Sequence, residues 1–225
     1  MTIIESIVLG IIQGLTEFLP ISSTGHLTLA GKLMGLIDEA NPEHWTAFIA
    51  VIQLGTMVSI LAYFWKDILN ISIAFIKDNL ISRKNLKEQS SDSKLGWYII
   101  LGSIPVVIVG LGFKDVIEGA LTKNLYVIAG SLIILAIILA IAEKTGKFKK
   151  NISDMNWKDA LLIGLGQSLA LIPGSSRSGT TITASIFLGY ARESAARFSF
   201  LLSIPAIFGS GLLQLKEALE YMTAD

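Results

Sequence analysis

Cysteine does not occur among the 225 residues. Its absence excludes disulfides, thiolate nucleophiles and cysteine-ligated zinc, and leaves the redox compartment open. Charge is scarce as well: acidic and basic residues make up 16% of the chain and balance at eighteen each. A net charge of zero supplies no bulk field to attract nucleic acid. No basic segment precedes the apolar N-terminus MTIIESIVLGIIQG, and a polar motif follows it where a signal peptide would carry a small-residue cleavage site. That end therefore reads as mature sequence.

What the chain has in abundance is apolar surface, with 52% hydrophobic residues and a mean hydropathy of +0.63. Its length is better counted in membrane spans of about 20 residues than in soluble domains. Residues 45–65, 95–113 and 125–142 are uncharged and match the hydrocarbon thickness, and 198–215 is a slightly shorter fourth candidate. Trp45, Trp65 and Trp97 fall at span ends, where indole rings anchor at the membrane interface. The stretch Lys66–Lys94 reads as a solvated, mobile loop, His44 as an exposed loop residue, and Pro105 and Pro205 as kinks within spans. The expected fold class is all-α: a polytopic membrane helical bundle forming one domain over 1–225.

Two segments do not fit a simple span. Residues 3–35 and 157–190 each hold an apolar run of about 15, a polar Gly/Pro/Ser turn, and a second apolar run of about 11. A helix of 15 residues rises only about 22 Å, too little to cross a hydrocarbon core of about 30 Å. Each segment is predicted to be a re-entrant hairpin, which enters the bilayer, turns at mid-depth and leaves on the same side. The two also resemble each other. A shift of 154 residues places Gly10 on Gly164, Gln13 on Gln167, Leu15 on Leu169, Ser22 on Ser176, Gly25 on Gly179, Ala30 on Ala184 and Gly35 on Gly189. A shift of 150 places Phe48 on Phe198 in the span that follows. Repeat one then covers about 1–142 and repeat two about 157–225.

Lysine and arginine orient the chain. The stretch Lys66–Lys94 carries six of them, Glu143–Lys158 five, and Arg192 and Arg197 follow the second hairpin, making thirteen. Lys32, Lys114, Lys123 and Lys216 fall on the other side, and Arg177 lies in the second turn. The side with thirteen is cytoplasmic. The first hairpin then dips in from outside and the second from the cytoplasm, an inverted-topology repeat that brings both turns together near the midplane. One unit is followed by three spans and the other by one. Two further helices would complete the symmetry, so the chain reads as a fragment or a naturally shortened member of its kind.

The second turn, Pro173 to Thr181, has the makings of an anion cradle. Proline and glycine break one helix, and the exposed N–H groups opening the next favour phosphate. Ser175, Ser176, Ser178 and Thr181 add hydroxyl donors, and Arg177 adds a planar fork that matches phosphate oxygens. An arginine at membrane depth marks a functional site by default. The first turn supplies different chemistry through Ser22, Ser23 and His26. His26 can move a proton near neutral pH or attack phosphorus directly. Gln13 and Glu17 stand one helical turn apart on one face. They could ligate Mg²⁺ or Ca²⁺, or Glu17 could orient His26. Gln167, the counterpart of Gln13, divides evenly between site and packing.

These motifs resemble those of a known family. GIIQGLTEFLPISSTGH is similar to the (E/Q)xxxE segment of bacterial undecaprenyl-diphosphate phosphatases, the bacitracin-resistance membrane enzymes, and PGSSRSGTT is similar to their PGxSRSxxT motif. The resemblance runs along essentially the whole chain. It implies hydrolysis of the C55 polyprenyl diphosphate to its monophosphate in the bacterial plasma membrane, recycling the lipid carrier of peptidoglycan synthesis. It places Gln13 and Glu17 at the acidic, metal-associated pair, here in its glutamine variant. Ser22, Ser23 and His26 fall at the hydroxyl and histidine positions, and Ser176, Arg177 and Thr181 at the phosphate-binding ones. The implied partners are the lipid substrate and the bilayer, with bacitracin met only through that shared substrate, no nucleic acid, and a homodimer allowed. The nucleophile stays open among His26, Ser23 and a water. A polyprenyl-phosphate flippase or anion transporter would use the same midplane site without needing Glu17 and His26.

Overall fold

The computed structural model describes residues 1–38, 42–113 and 124–223. Within them the chain is helical and holds no named strand, only one isolated bridge between Lys150 and Tyr190. Helices α1 (Ile3–Thr16) and α2 (Ser23–Leu33) flank the first polar turn. Helix α3 (Pro42–Tyr63) follows, then α4 (Trp65–Ile76), α5 (Ser91–Gly112) and α6 (Leu125–Thr145). Helices α7 (Trp157–Ser168) and α8 (Arg177–Phe187) flank the second turn, and α9 (Arg192–Thr223) ends the described chain. Lys114 and Lys123 lie outside the described residues.

Helices α5 and α6 and the stretch Arg192–Leu212 of α9 are each long and apolar enough to cross a membrane. Ala47–Tyr63 with Trp65–Ile81 makes a fourth span if that pair, bent by 75°, counts as one. Their outer faces would be untenable in water. Ile133, Ile134, Ile137 and Ile141 on α6 are exposed, as are Ile3, Ile7, Ile11 and Leu15 on α1. Stripes of that kind are normal only where lipid or another protein covers them.

Lipid supplies no hydrophobic drive between helices, so close packing and polar contacts must hold the bundle. Both are present. Helix α7 lies against α5 so closely that a Cβ at Gly164 would collide with the backbone of Gly102. Thr181 and Ser199 share a buried hydrogen bond at 2.6 Å between α8 and α9. Gln13 donates to Thr56 at 3.2 Å between α1 and α3.

Two expectations need correction. The stretch Lys66–Lys94 is not a mobile loop. It holds α4 and a π turn at Lys77–Ile81, and its return is bonded in place: Asp78 accepts from Ser90 N at 2.8 Å and pairs with Lys84. The apolar positions of α4 alternate with polar ones at helical spacing, and Ile71 buries against the bundle. Trp45 does not present its ring at the surface as an interface anchor would. It is 5% exposed, lies in the space left by Gly31, and donates from Nε1 to Thr28 at 3.4 Å. Trp65 and Trp97 are exposed, and His44 is exposed near the start of α3.

Gly164→Val should lower the melting temperature of the detergent-solubilised protein, by the equivalent of about 1–3 kcal/mol or more. An unchanged melting temperature would show that α5 and α7 are not in backbone contact.

Candidate active site

The first turn begins where Pro20 interrupts the chain after α1. Ser22 then takes φ +64°, in the left-handed region that non-glycine residues rarely enter, and caps α2 by accepting from Gly25 N at 3.2 Å. At the second turn Gly174 takes φ +87°, and a side chain there would strike Ile128 and Ser131 of α6. Ser176 caps α8 by accepting from Gly179 N at 3.1 Å. Both caps therefore use a serine and the glycine three residues on.

The turns are tied to each other. Ser178 Oγ donates to the Leu19 carbonyl at 2.9 Å, and Ser176 Oγ lies 3.1 Å from Ser178 Oγ. The centre of the junction is Glu17. Its Oε1 is ion-paired with Nη2 of Arg177. Its Oε2 accepts from Gln13 Nε2 at 2.9 Å and from Ser23 Oγ at 2.5 Å. Glu17 is 6% exposed and the Arg177 side chain 16%. Charges so placed persist only when paired and hydrogen-bonded. Arg177 Nη1 is buried without a partner, as are Oε1 of Gln13 and both amide atoms of Gln167.

Above this junction is a cavity of about 460 Å³. Glu17, Ser22, Ser23 and Thr24 line it from the first turn, and Ser175, Ser176 and Arg177 from the second. Gln167 joins them from α7, Gln53 from α3, and Val106, Leu111 and Pro205 form an apolar wall. Its size suits a ligand with a polar head.

The sequence-derived candidates thus divide. Glu17, Ser22, Ser23, Ser175, Ser176 and Arg177 share the cavity. Gln13 stands behind it, bonded to Glu17. Ser178 and Thr181 face packing: Ser178 reaches the first turn, and Thr181 donates to the Arg177 carbonyl at 2.8 Å. His26 is exposed and outside the cavity wall. Its Nδ1 lies 2.9 Å from the Ser22 carbonyl, an acceptor only, so Nδ1 is the donor in that bond. Pro205, expected only to kink its span, lines the cavity. Gln53 was not among the candidates, although an amide in an uncharged span is itself a signal.

Among the described residues no three His, Cys, Asp or Glu side chains cluster closely enough to hold a metal. The donors present are one carboxylate, Glu17, and the unpartnered Oε1 of Gln13. Those two fit a hydrated Mg²⁺ completed by substrate oxygens, and not an all-protein cage.

Helices of spanning length around a cavity with a polar floor and an apolar wall define a multi-pass membrane protein whose site is assembled from both halves of the sequence. The particular kind follows from comparison. The family described as "Bacitracin resistance protein BacA" matches residues 6–225. The chain is 59% identical over 222 residues to an undecaprenyl-diphosphatase of Syntrophobacter fumaroxidans, an alignment covering 99% of this chain and 79% of that protein. It is 52% identical over 222 residues to one of Chloroherpeton thalassium (96% and 75% covered) and 49% over 223 to one of Myxococcus xanthus (99% and 72%). The chain belongs to the BacA family.

A double-mutant cycle with Glu17→Gln and Arg177→Met, read by thermal unfolding in detergent, should give a coupling of about 0.5–3 kcal/mol. Strict additivity would mean that the pair does not join the turns.

Proposed function

We propose that this chain hydrolyses undecaprenyl diphosphate to undecaprenyl phosphate and inorganic phosphate in the bacterial plasma membrane, recycling the lipid carrier of cell-wall synthesis. The names of its relatives support the substrate. The observation that carries the chemistry is Glu17, which touches a hydroxyl nucleophile candidate and the phosphate-binding arginine at once.

Arg177, Ser175, Ser176 and the N-terminus of α8 hold the diphosphate, and the phosphate charge draws the guanidinium away from Glu17. Glu17, released from its pair, takes the proton of Ser23 while Ser23 Oγ attacks the terminal phosphorus. The Oγ–P bond forms, the bond from that phosphorus to the bridging oxygen breaks, and the lipid monophosphate leaves with the electron pair. Arg177 stabilises charge on the equatorial oxygens. Water then attacks the phosphoserine: its oxygen bonds to phosphorus, the Oγ–P bond breaks, Glu17 returns its proton to Ser23 Oγ, and the protons of the water leave on the orthophosphate. A divalent cation bound with the substrate would be held by Glu17 and the Gln13 amide oxygen, and would neutralise diphosphate charge. Ser178 and Thr181 hold the cradle in shape.

The hairpins serve this as re-entrant pairs of opposite orientation. Helices of 14 and 12 residues, α1 and α7, support that reading, since they rise only about 21 and 18 Å. The asymmetry of basic residues supports a site that the outer leaflet supplies with substrate.

The test is a single turnover with polyprenyl diphosphate labelled on the terminal phosphate. Label should be trapped on Ser23 and absent from Ser23→Ala, and Glu17→Gln should slow phosphate release by about 10²–10⁴-fold. Label on His26 would overturn the nucleophile, and near-normal release by Arg177→Ala would overturn the site. Binding without turnover would point to a carrier.

A further inference from the structure

Neither amide atom of Gln167 has a hydrogen-bond partner, although the residue is 0% exposed. Buried side-chain amides are normally bonded, because an unpaired one forfeits its hydration for nothing. Gln167 is nonetheless part of the cavity wall, beside the turn that holds Ser175, Ser176 and Arg177. Its helix cannot drift away, since Gly164, one turn earlier, is locked against the backbone of Gly102.

The internal repeat shows what this amide has lost. Its counterpart, Gln13, donates to Glu17 and to Thr56. The residue standing 154 positions after Glu17 is Leu171, and the one standing 150 positions after Thr56 is Ala206. Both partners have been replaced by apolar side chains, and both of those line the cavity. The second half keeps the amide, and nothing among the described residues bonds it. An amide in that condition turns toward a ligand without breaking any contact, which Gln13 cannot do.

We propose that Gln167 is a specificity-determining residue that tells a diphosphate from a monophosphate. Its amide turns into the cavity and donates to one phosphate group of the bound diphosphate, while Arg177, Ser176 and the N-terminus of α8 hold the other. A monophosphate fills one position only and leaves the amide unbonded, so the product is held less tightly than the substrate. The proposal rests on the phosphatase reading above. A hydrogen bond from a neutral amide to a charged phosphate is worth about tenfold to a hundredfold in affinity.

The experiment measures binding of inorganic pyrophosphate and of orthophosphate to purified full chain in detergent, for the wild type, Gln167→Met and Gln167→Glu. Gln167→Met should weaken pyrophosphate about tenfold to a hundredfold and leave orthophosphate within about twofold. Its melting temperature should hold or rise, because a buried unbonded amide has been removed. Gln167→Glu, which presents a negative charge to the anion, should weaken pyrophosphate further. Equal weakening of both anions, or a fallen melting temperature with the pyrophosphate preference intact, would show a packing residue and overturn the proposal. Turnover by the wild type is scored separately. A wild type that prefers pyrophosphate but releases no phosphate from polyprenyl diphosphate contradicts the phosphatase reading and leaves Gln167 assigned. One that turns over and binds both anions alike overturns Gln167 alone.

Discussion

The structure depends on one ion pair between residues 160 positions apart in sequence, Glu17 and Arg177. Neither charge would be stable alone at that depth, because the cost of removing an ion from water is recovered only by a partner and by further hydrogen bonds. Each supplies the other's partner, and Gln13, Ser23 and the Leu19 carbonyl complete the junction. The surrounding architecture meets the requirement that both turns arrive at one place. Ser22 and Gly174 adopt left-handed backbone to aim the turns, and glycines bring α5 and α7 into backbone contact.

The same pair explains why a stable resting state and a reactive one can share residues. With no anion bound, Glu17 is neutralised by Arg177 and serves structure. In the mechanism we propose, a phosphate group competes for the guanidinium and frees the carboxylate beside Ser23. In the proposed reaction, binding and activation of the nucleophile would be a single event. Polar atoms around the cavity, Arg177 Nη1 and the Gln167 amide among them, lack partners within the described residues and are the donors the proposal assigns to the bound anion.

Much of this was legible in the residues. Uncharged runs marked α5 and α6, because lipid demands a full-length apolar surface. Glu17 and Arg177 stood out because charge in apolar surroundings is seldom idle. Other features were hidden for physical reasons. Trp45 has the composition of an interface anchor, and the gap left by Gly31 on the preceding helix, with Thr28 as partner for its Nε1, holds it inward. The stretch Lys66–Lys94 is polar enough to read as a loop, but α4 buries one narrow face that its average composition conceals. Ser178 and Thr181 carry the same hydroxyls as Ser175 and Ser176. Ser175 and Ser176 belong to the turn ahead of α8 and line the cavity, whereas Ser178 and Thr181 lie on α8 and bond to the neighbouring backbone, a matter of packing that motif spacing does not encode.

The central claim is that both turns face one anion-binding cavity, and the cysteine-free chain allows it to be tested without background. Ser22→Cys and Ser176→Cys would be introduced together and treated with a short thiol-specific cross-linker, with and without inorganic pyrophosphate. The account predicts rapid cross-linking of the two halves, suppressed when pyrophosphate occupies the cavity. Thiols that react but never cross-link, or cross-linking indifferent to pyrophosphate, would contradict it.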